Sequence, residues 1–166
     1  MLRGIVRGMA AGAIGTLTLN VITYADMAIR GRPSSDAPAK LAGILVDKLG
    51  LDLSGGTSGD DAKEQIQHRQ SGLGALLGYA TGLGVGSLYG ALRASAGPTA
   101  KPKASLVLGL VAMAASDVPL TIAGLTDPTR WTRAEWLADL IPHLGYGFMV
   151  AAVYDALTDD RETTGD

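Results

Sequence analysis

Residues 72–92 read GLGALLGYATGLGVGSLYGAL and decide the fold. The stretch has no charged residue, and its polar side chains are limited to tyrosine, threonine and serine. A helix that rises 1.5 Å per residue needs about 20 residues to cross roughly 30 Å of hydrocarbon. Because a helix of a soluble bundle needs a polar face, residues 72–92 predict a transmembrane helix.

Three other apolar stretches have the same length and character. They cover residues 8–29, 104–125 and 136–157. Charged residues make up only 18% of the 166 residues, below the ~25% usual for soluble domains. They concentrate in a polar segment at 30–71 and an acidic tail at 158–166. We therefore expect one integral membrane domain, residues 1–166, folded as an all-α, glycine-rich four-helix transmembrane bundle.

The polar segment predicts a further short helix. Pro38 suits its first turn and Gly50 suits its end. Apolar residues recur between them at helical spacing; they are Leu41, Ile44, Leu45 and Leu49. This pattern is typical of an amphipathic interfacial helix, lying either on the membrane surface or on the bundle. The next helix is expected to begin in water, at Ser58 or Asp60, and to be unusually long.

Glycines form two rows at four-residue spacing, which places each row on one helix face. The rows are Gly74, Gly78, Gly82, Gly86 and Gly90 in the second span, and Gly4, Gly8 and Gly12 at the first. Faces without side chains let another helix approach closely, so each row needs a partner. Two interpretations stay open: close packing inside one four-helix monomer, or a glycine zipper that builds a homo-oligomer, around a pore in one version.

Polar side chains inside the spans are the candidate functional residues. If the helices alternate in direction, four of them lie about 10–14 Å below one surface; these are Asn20, Tyr79, Asp117 and His143. Tyr146 and Thr121 lie beside this intramembrane polar cluster. An unpaired carboxylate at that depth costs several kcal/mol, so we expect Asp117 to pair with His143.

The paired Asp117 and His143 have two interpretations. An Asp and a His can exchange a proton near neutral pH, which suits a proton or cation pathway. The other interpretation is an interhelical hydrogen bond that sets the register of the bundle. Asp26 and Asp139 lie nearer the interface, where a solvated rim charge is the expected role.

Composition excludes several other classes. A net charge of −2 lacks the basic footprint of a nucleic-acid-binding protein, and the absence of cysteine removes thiolate and cysteine–metal chemistry. No phosphate-binding or nucleophile-elbow motif occurs in its proper context. Haem or zinc ligation would need more ligands than His143 has near it. We expect no cofactor, no bound metal and no enzymatic activity.

Three stretches carry a resemblance to known sequences. They are GTLTLNVITYADMAIRGRP at 15–33, DVPLTIAGLTDPTRW at 117–131 and PHLGYG at 142–147. With them the chain resembles a group of small four-span membrane proteins of actinobacteria, for which no activity is established. The resemblance implies a multi-span protein of the bacterial inner (cytoplasmic) membrane and assigns no role to any residue.

Two functions follow as hypotheses. The first is a small proton or cation channel or transporter-like protein that uses Asp117 and His143. The second is a non-catalytic structural or accessory subunit that packs its glycine faces against a larger membrane complex. The expected partners are the lipid bilayer and either further copies of the chain or other membrane subunits.

Overall fold

The computed structural model describes residues 1–56, 58–97 and 99–159, which contain five α-helices and no strand. The helices are α1 (Leu2–Arg30), α2 (Ala37–Lys48), α3 (Asp60–Ala96), α4 (Lys101–Ile122) and α5 (Arg133–Asp159). Four of them, α1, α3, α4 and α5, are long and apolar enough to cross a membrane. The prediction of an all-α bundle of four transmembrane helices is confirmed. Most of the predicted acidic tail, 160–166, lies outside the described residues.

The long second transmembrane helix is also present. α3 has 37 residues, about 55 Å of helix, which is more than a bilayer core requires. Its first part therefore extends beyond the apolar span. α2 packs antiparallel along this part, because the backbone at Pro38 and Ala39 meets Gly74, and Gly43 meets Gln70.

α2 buries mainly small side chains. Its buried residues are Ala37, Ala42, Gly43 and Val46, Leu41 and Ile44 are half-buried, and Leu45 and Leu49 are 41% and 72% exposed. Small side chains bring the two helix backbones together. The predicted helix is therefore present and packs on α3, with part of its apolar repeat left exposed.

Helix ends follow local sequence signals. Gly124 has φ +69°, and the Leu125 N–H donates to the Leu120 carbonyl at 2.9 Å, which is a Schellman end. α4 consequently ends at Ile122, three residues before the expected end of the span at 125. α5 begins with a capping box, in which the Thr132 N–H donates to Glu135 Oε2 at 2.7 Å and the Glu135 N–H donates to Thr132 Oγ1 at 3.3 Å.

The two glycine rows meet each other between α1 and antiparallel α3. Gly4 lies against Gly90, Gly8 against Gly86, and Gly12 against Gly82. A Cβ atom on Gly86 would lie 2.7 Å from the Gly12 Cα, which is closer than packed carbon atoms come. These six glycines are therefore covered within one chain.

Two members of the longer row behave differently. Gly74 packs against α2 instead of α1, whereas Gly78 is exposed, and no atom of another described helix would lie within 4 Å of a methyl group added to it. The expectation that all five α3 glycines form one packing row is corrected, because α1 and α2 contact α3 on either side of Gly78. A second glycine contact, Gly109 with Gly147, joins α4 to α5.

α5 runs parallel to α3 and in register with it. The Tyr146 hydroxyl donates to the Gly82 carbonyl at 2.6 Å, and the Tyr154 hydroxyl donates to the Gly90 carbonyl at 3.3 Å. The two tyrosines are two turns apart on α5, and their acceptors are two turns apart on α3. Both hydrogen bonds can therefore form between helices that run in the same direction. The centre of the bundle is closely packed, and Ala11 and Val150 are 0% exposed there.

Substitution of Gly86 by alanine tests the α1–α3 contact. Because the new methyl group would overlap the backbone of α1, we expect Gly86→Ala to lower the free energy of unfolding by about 1–3 kcal/mol. Gly84→Ala and Gly78→Ala are matched controls on the same helix with open space around them. Thermal unfolding in detergent should leave both controls unchanged or stabilised, and equal losses in all three variants would contradict the packing described.

The helix directions place the start of α1 and the end of α5 at one end of the bundle. Gly4 lies beside Ala94, and Asp155 pairs with Arg93, whereas residues 49–56, between α2 and α3, are at the other end. Because the chain has no cysteine, single cysteines can be introduced cleanly. In oriented vesicles, an impermeant maleimide should label Arg3→Cys and Thr158→Cys from one side and Ser54→Cys from the other. Labelling of all three from the same side would refute this topology.

Candidate functional site

The candidate site lies between α4 and α5, near the end of the bundle that carries the polar segment. Asp117 is five residues before the end of α4, and Asp139 is six residues after the start of α5. At 1.5 Å per residue this is about 8–9 Å along the helix axis. Asp117 is therefore shallower than the expected 10–14 Å, because α4 ends early.

His143 is oriented by its own helix. Its Nδ1 lies 2.8 Å from the Asp139 carbonyl oxygen, which can only accept, so Nδ1 carries the hydrogen. Nε2 then faces α4, where it lies 3.4 Å from Ser116 Oγ. The expected direct contact between His143 and Asp117 is not made. Ser116 lies between them, with its hydroxyl 3.4 Å from His143 Nε2 and 3.4 Å from Asp117 Oδ1, and its shortest hydrogen bond is donated to the Met113 carbonyl at 2.9 Å.

The direct partner of Asp117 is Asp139. The carboxyl group of Asp139 on α5 lies beside that of Asp117 on α4. Two ionised carboxylates are both acceptors, so this contact is a hydrogen bond only when one of them carries a proton. Among the described residues no N–H or O–H donates to Asp139 Oδ2, although that oxygen is buried.

Asp139 lies beside the site as well as near the end of its helix. Its side chain is 27% exposed, as expected for a rim residue, and its Oδ1 lies 3.5 Å from His143 Nδ1. Asp26, the other expected rim residue, does form ion pairs at the end of α1, with Arg30 at 3.3 Å and Arg32 at 2.5 Å.

A groove of about 390 Å³ runs along the outer face of α4 and exposes Asp117. Its walls come from α4, the 3₁₀ turn Pro128–Arg130 and the start of α5. Among the described residues that line it, Asp117 alone is charged, and its neighbours there include Leu110, Met113, Val118, Ile122 and Trp136. Val118 and Ile122 are themselves exposed, so the groove opens outward from the bundle.

Of the other predicted cluster residues, only Thr121 lies at the site, where it lines the groove and its hydroxyl donates to the Asp117 backbone carbonyl at 2.8 Å. The Asn20 amide donates to the Tyr79 hydroxyl at 3.3 Å, between α1 and α3. The Tyr146 hydroxyl bonds to the Gly82 carbonyl, between α5 and α3. The expected single cluster is therefore divided among three helix interfaces.

A second charged cluster, at the opposite end, was not predicted. Arg93 Nη2 lies 2.9 Å from Asp155 Oδ1, and both side chains are only 11% exposed. The guanidinium lies over the rings of Tyr89 and Tyr154, 5.7 Å and 5.5 Å from their centroids. The sequence feature that could have identified this cluster is Asp155, an acidic residue inside the predicted span 136–157. A carboxylate at that position needs a partner.

This second cluster has the features of a structural clamp. Each ionised group has partners, since Arg93 also donates to the Tyr89 hydroxyl at 3.1 Å, and Lys101 Nζ lies 3.8 Å from Asp155 Oδ2. The ion pair joins the ends of the parallel helices α3 and α5. The pair of carboxyl groups at the other end, in contrast, has no ion-paired lysine or arginine among the described residues.

Neither a metal-binding cluster among the described residues nor a similarity to a known protein indicates a further site. Within residues 1–56, 58–97 and 99–159, no three His, Asp or Glu side chains converge closely enough to hold a metal ion. Compared with known proteins, the chain matches no family model, no curated protein and no solved structure at a significant level.

Removing one member of the Arg93–Asp155 pair tests the clamp. Asp155→Asn leaves a buried guanidinium without its counter-ion, so we expect a loss of about 3–5 kcal/mol in unfolding free energy. The double variant Arg93→Met, Asp155→Asn should lose less than the sum of the two single variants. Lys63→Met, which breaks the exposed pair with Asp60, should change the unfolding free energy by less than about 0.5 kcal/mol. Additive losses in thermal or denaturant unfolding would rule out the coupling.

Proposed function

We propose that this small membrane protein binds and releases protons or cations at the Asp117–Asp139 pair, as a step in transporting them across a bacterial cytoplasmic membrane. The observation that carries the proposal is the approach of two carboxyl groups inside a transmembrane bundle, without an ion-paired lysine or arginine among the described residues. Like charges this close do not both stay ionised unless a positive charge lies between them.

His143 lies close enough to the pair to exchange protons with it. The Ser116 hydroxyl is 3.4 Å from both His143 Nε2 and Asp117 Oδ1, and it donates to the Met113 carbonyl at 2.9 Å. Histidine is suited to proton relay because its charge changes near neutral pH. Transfer through Ser116 requires its hydroxyl to turn away from Met113.

The closed centre favours a transporter over a fixed pore through one chain. Ala11, Tyr146 and Val150 fill the bundle between its two ends, with exposures of 1% or less. Ions bound at the carboxyl pair would need helix movement, or a path along the surface of the bundle, to reach the other side. Pro119 in α4 and Pro142 in α5 flank the site, and each removes a backbone N–H from its helix.

Flux through purified protein tests the proposal. Proteoliposomes containing a pH-sensitive dye should show proton uptake driven by a potassium diffusion potential, above that of empty liposomes. Asp117→Asn and Asp139→Asn should each reduce the rate at least about tenfold, because neither variant keeps two carboxyl groups that can share a proton. Asp60→Asn, an exposed carboxylate at the start of α3, is the matched control and should conduct normally.

Thermal unfolding of each variant distinguishes lost transport from lost folding. Unchanged proton uptake in both Asp117→Asn and Asp139→Asn, with intact unfolding curves, would refute the proposal. Uptake no faster than in empty liposomes would also refute it.

The second candidate is an accessory subunit, and one observation favours it. Gly72, Ala75 and Gly78 lie on one exposed face of α3, where another membrane helix can approach closely. Stoichiometric copurification of other membrane proteins, with loss of that recovery in Gly78→Leu, would support this candidate. Recovery of the chain alone or as a homo-oligomer would favour transport.

A further inference from the structure

We propose that the groove beside Asp117 binds an amphiphilic organic cation, whose ammonium group pairs with the Asp117 carboxylate that lines it. This inference rests on the proposed function and names a substrate class for the same site. It is carried by the shape of the groove, the order of polar and apolar residues along it, and its charge.

The shape of the groove suits an elongated ligand. From Leu110 to Ile122 it follows one face of α4 over 12 residues, about 18 Å of helix. Pro128 and Trp136 supply the facing wall. Its volume of about 390 Å³ falls within the range of about 300–1,000 Å³ found for small-molecule sites.

The lining has the same polarity order as an amphiphile in a bilayer. Asp117 lies near the end of α4, whereas Leu110 and Met113 lie about 6–10 Å farther into the bundle along the helix. A ligand with its charged group at Asp117 would therefore direct its apolar chain toward the bilayer centre. A ligand of the opposite polarity would place its charge against leucine and methionine.

The charge of the site favours a cation. The titratable groups that face Asp117 are Asp139 and His143 from α5, and its own helix contributes only the Ser116 hydroxyl. In the part of the chain that the structure describes, no Lys or Arg forms an ion pair with Asp117 or Asp139. An organic cation would supply the missing positive charge, and the Trp136 ring beside it can add a cation–π contact.

Protons and the ligand would compete for the same carboxylate. The ligand keeps its own N–H or N–C bonds, and a proton held by Asp117 leaves to water when the ammonium group binds. Affinity should therefore fall as the pH is lowered.

Calorimetry with a defined ligand tests this inference. The probe is octylammonium, titrated into the full-length protein in nanodiscs of zwitterionic lipid, with empty nanodiscs subtracted. The titration is repeated at a lower pH. We expect saturable binding that weakens as the pH falls, and at least tenfold weaker binding to Asp117→Asn. The uncharged probe octanol should bind no better to the wild type than to this variant.

Two adjacent alanines on α4 provide a matched pair of variants. Ala114 lines the groove, whereas Ala115 is exposed outside it. Ala114→Trp should abolish octylammonium binding, and Ala115→Trp should retain it within about threefold. Thermal unfolding identifies any variant that fails to fold, and Asp117→Glu, which keeps the charge, should still bind.

The outcomes separate this inference from the proposed function. Carboxyl-dependent proton uptake in liposomes without saturable octylammonium binding would overturn the inference and leave the proposed function standing. Equal binding to the wild type and Asp117→Asn, or to Ala114→Trp and Ala115→Trp, would also overturn it. If Asp117→Asn and Asp139→Asn took up protons as fast as the wild type, both the inference and the proposed function would be overturned.

Discussion

The direct contact of the α1 and α3 backbones at Gly4, Gly8, Gly12, Gly82, Gly86 and Gly90 is the constraint on which the rest of the bundle depends. Lipid tails are as apolar as leucine, so burial of aliphatic side chains does little to hold transmembrane helices together. Close approach gains dispersion contacts, and it also leaves the Gly82 and Gly90 carbonyls open to Tyr146 and Tyr154 of α5. A β-carbon at these glycines would separate α1 from α3 and disturb the surface on which α5 is registered.

The two charged clusters of the bundle differ in how well their groups are satisfied. At one end Arg93 and Asp155 neutralise each other and are enclosed by two tyrosine rings. At the other end Asp117 and Asp139 bring together two acids, and a buried oxygen of Asp139 has no donor among the described residues. A satisfied pair stabilises one arrangement of helices, whereas two acids without a counter-ion need a proton or a cation between them. This contrast is the physical basis of the function proposed for the Asp117–Asp139 pair.

The groove and the closed centre together define how such a site can be reached. Ala11, Tyr146 and Val150 close the direct route through the chain, so access to Asp117 is from the side, along α4. A lateral opening exposes a charged group to ligands that already partition into the bilayer. The same opening accounts for the tolerance of Asp117 at this depth, because the carboxyl group lies about 8 Å from the end of its helix and is not sealed in the core.

The sequence by itself determined the four transmembrane helices, the short helix between the first two, and the extra length of α3, because hydropathy, glycine spacing and helix-end signals act within a few turns of one chain. It also identified Asp117 and His143 as residues that need partners. Only the tertiary structure decided which polar residues are partners. Asp117 lies beside Asp139 and makes no direct contact with His143, Asn20 contacts Tyr79, and Arg93 pairs with Asp155. The tertiary structure also decided that Gly78 faces outward although its spacing matches that of Gly82. Periodicity gives the face on which a residue lies, whereas the rotation and order of the packed helices, set by long-range backbone contacts, decide what that face meets.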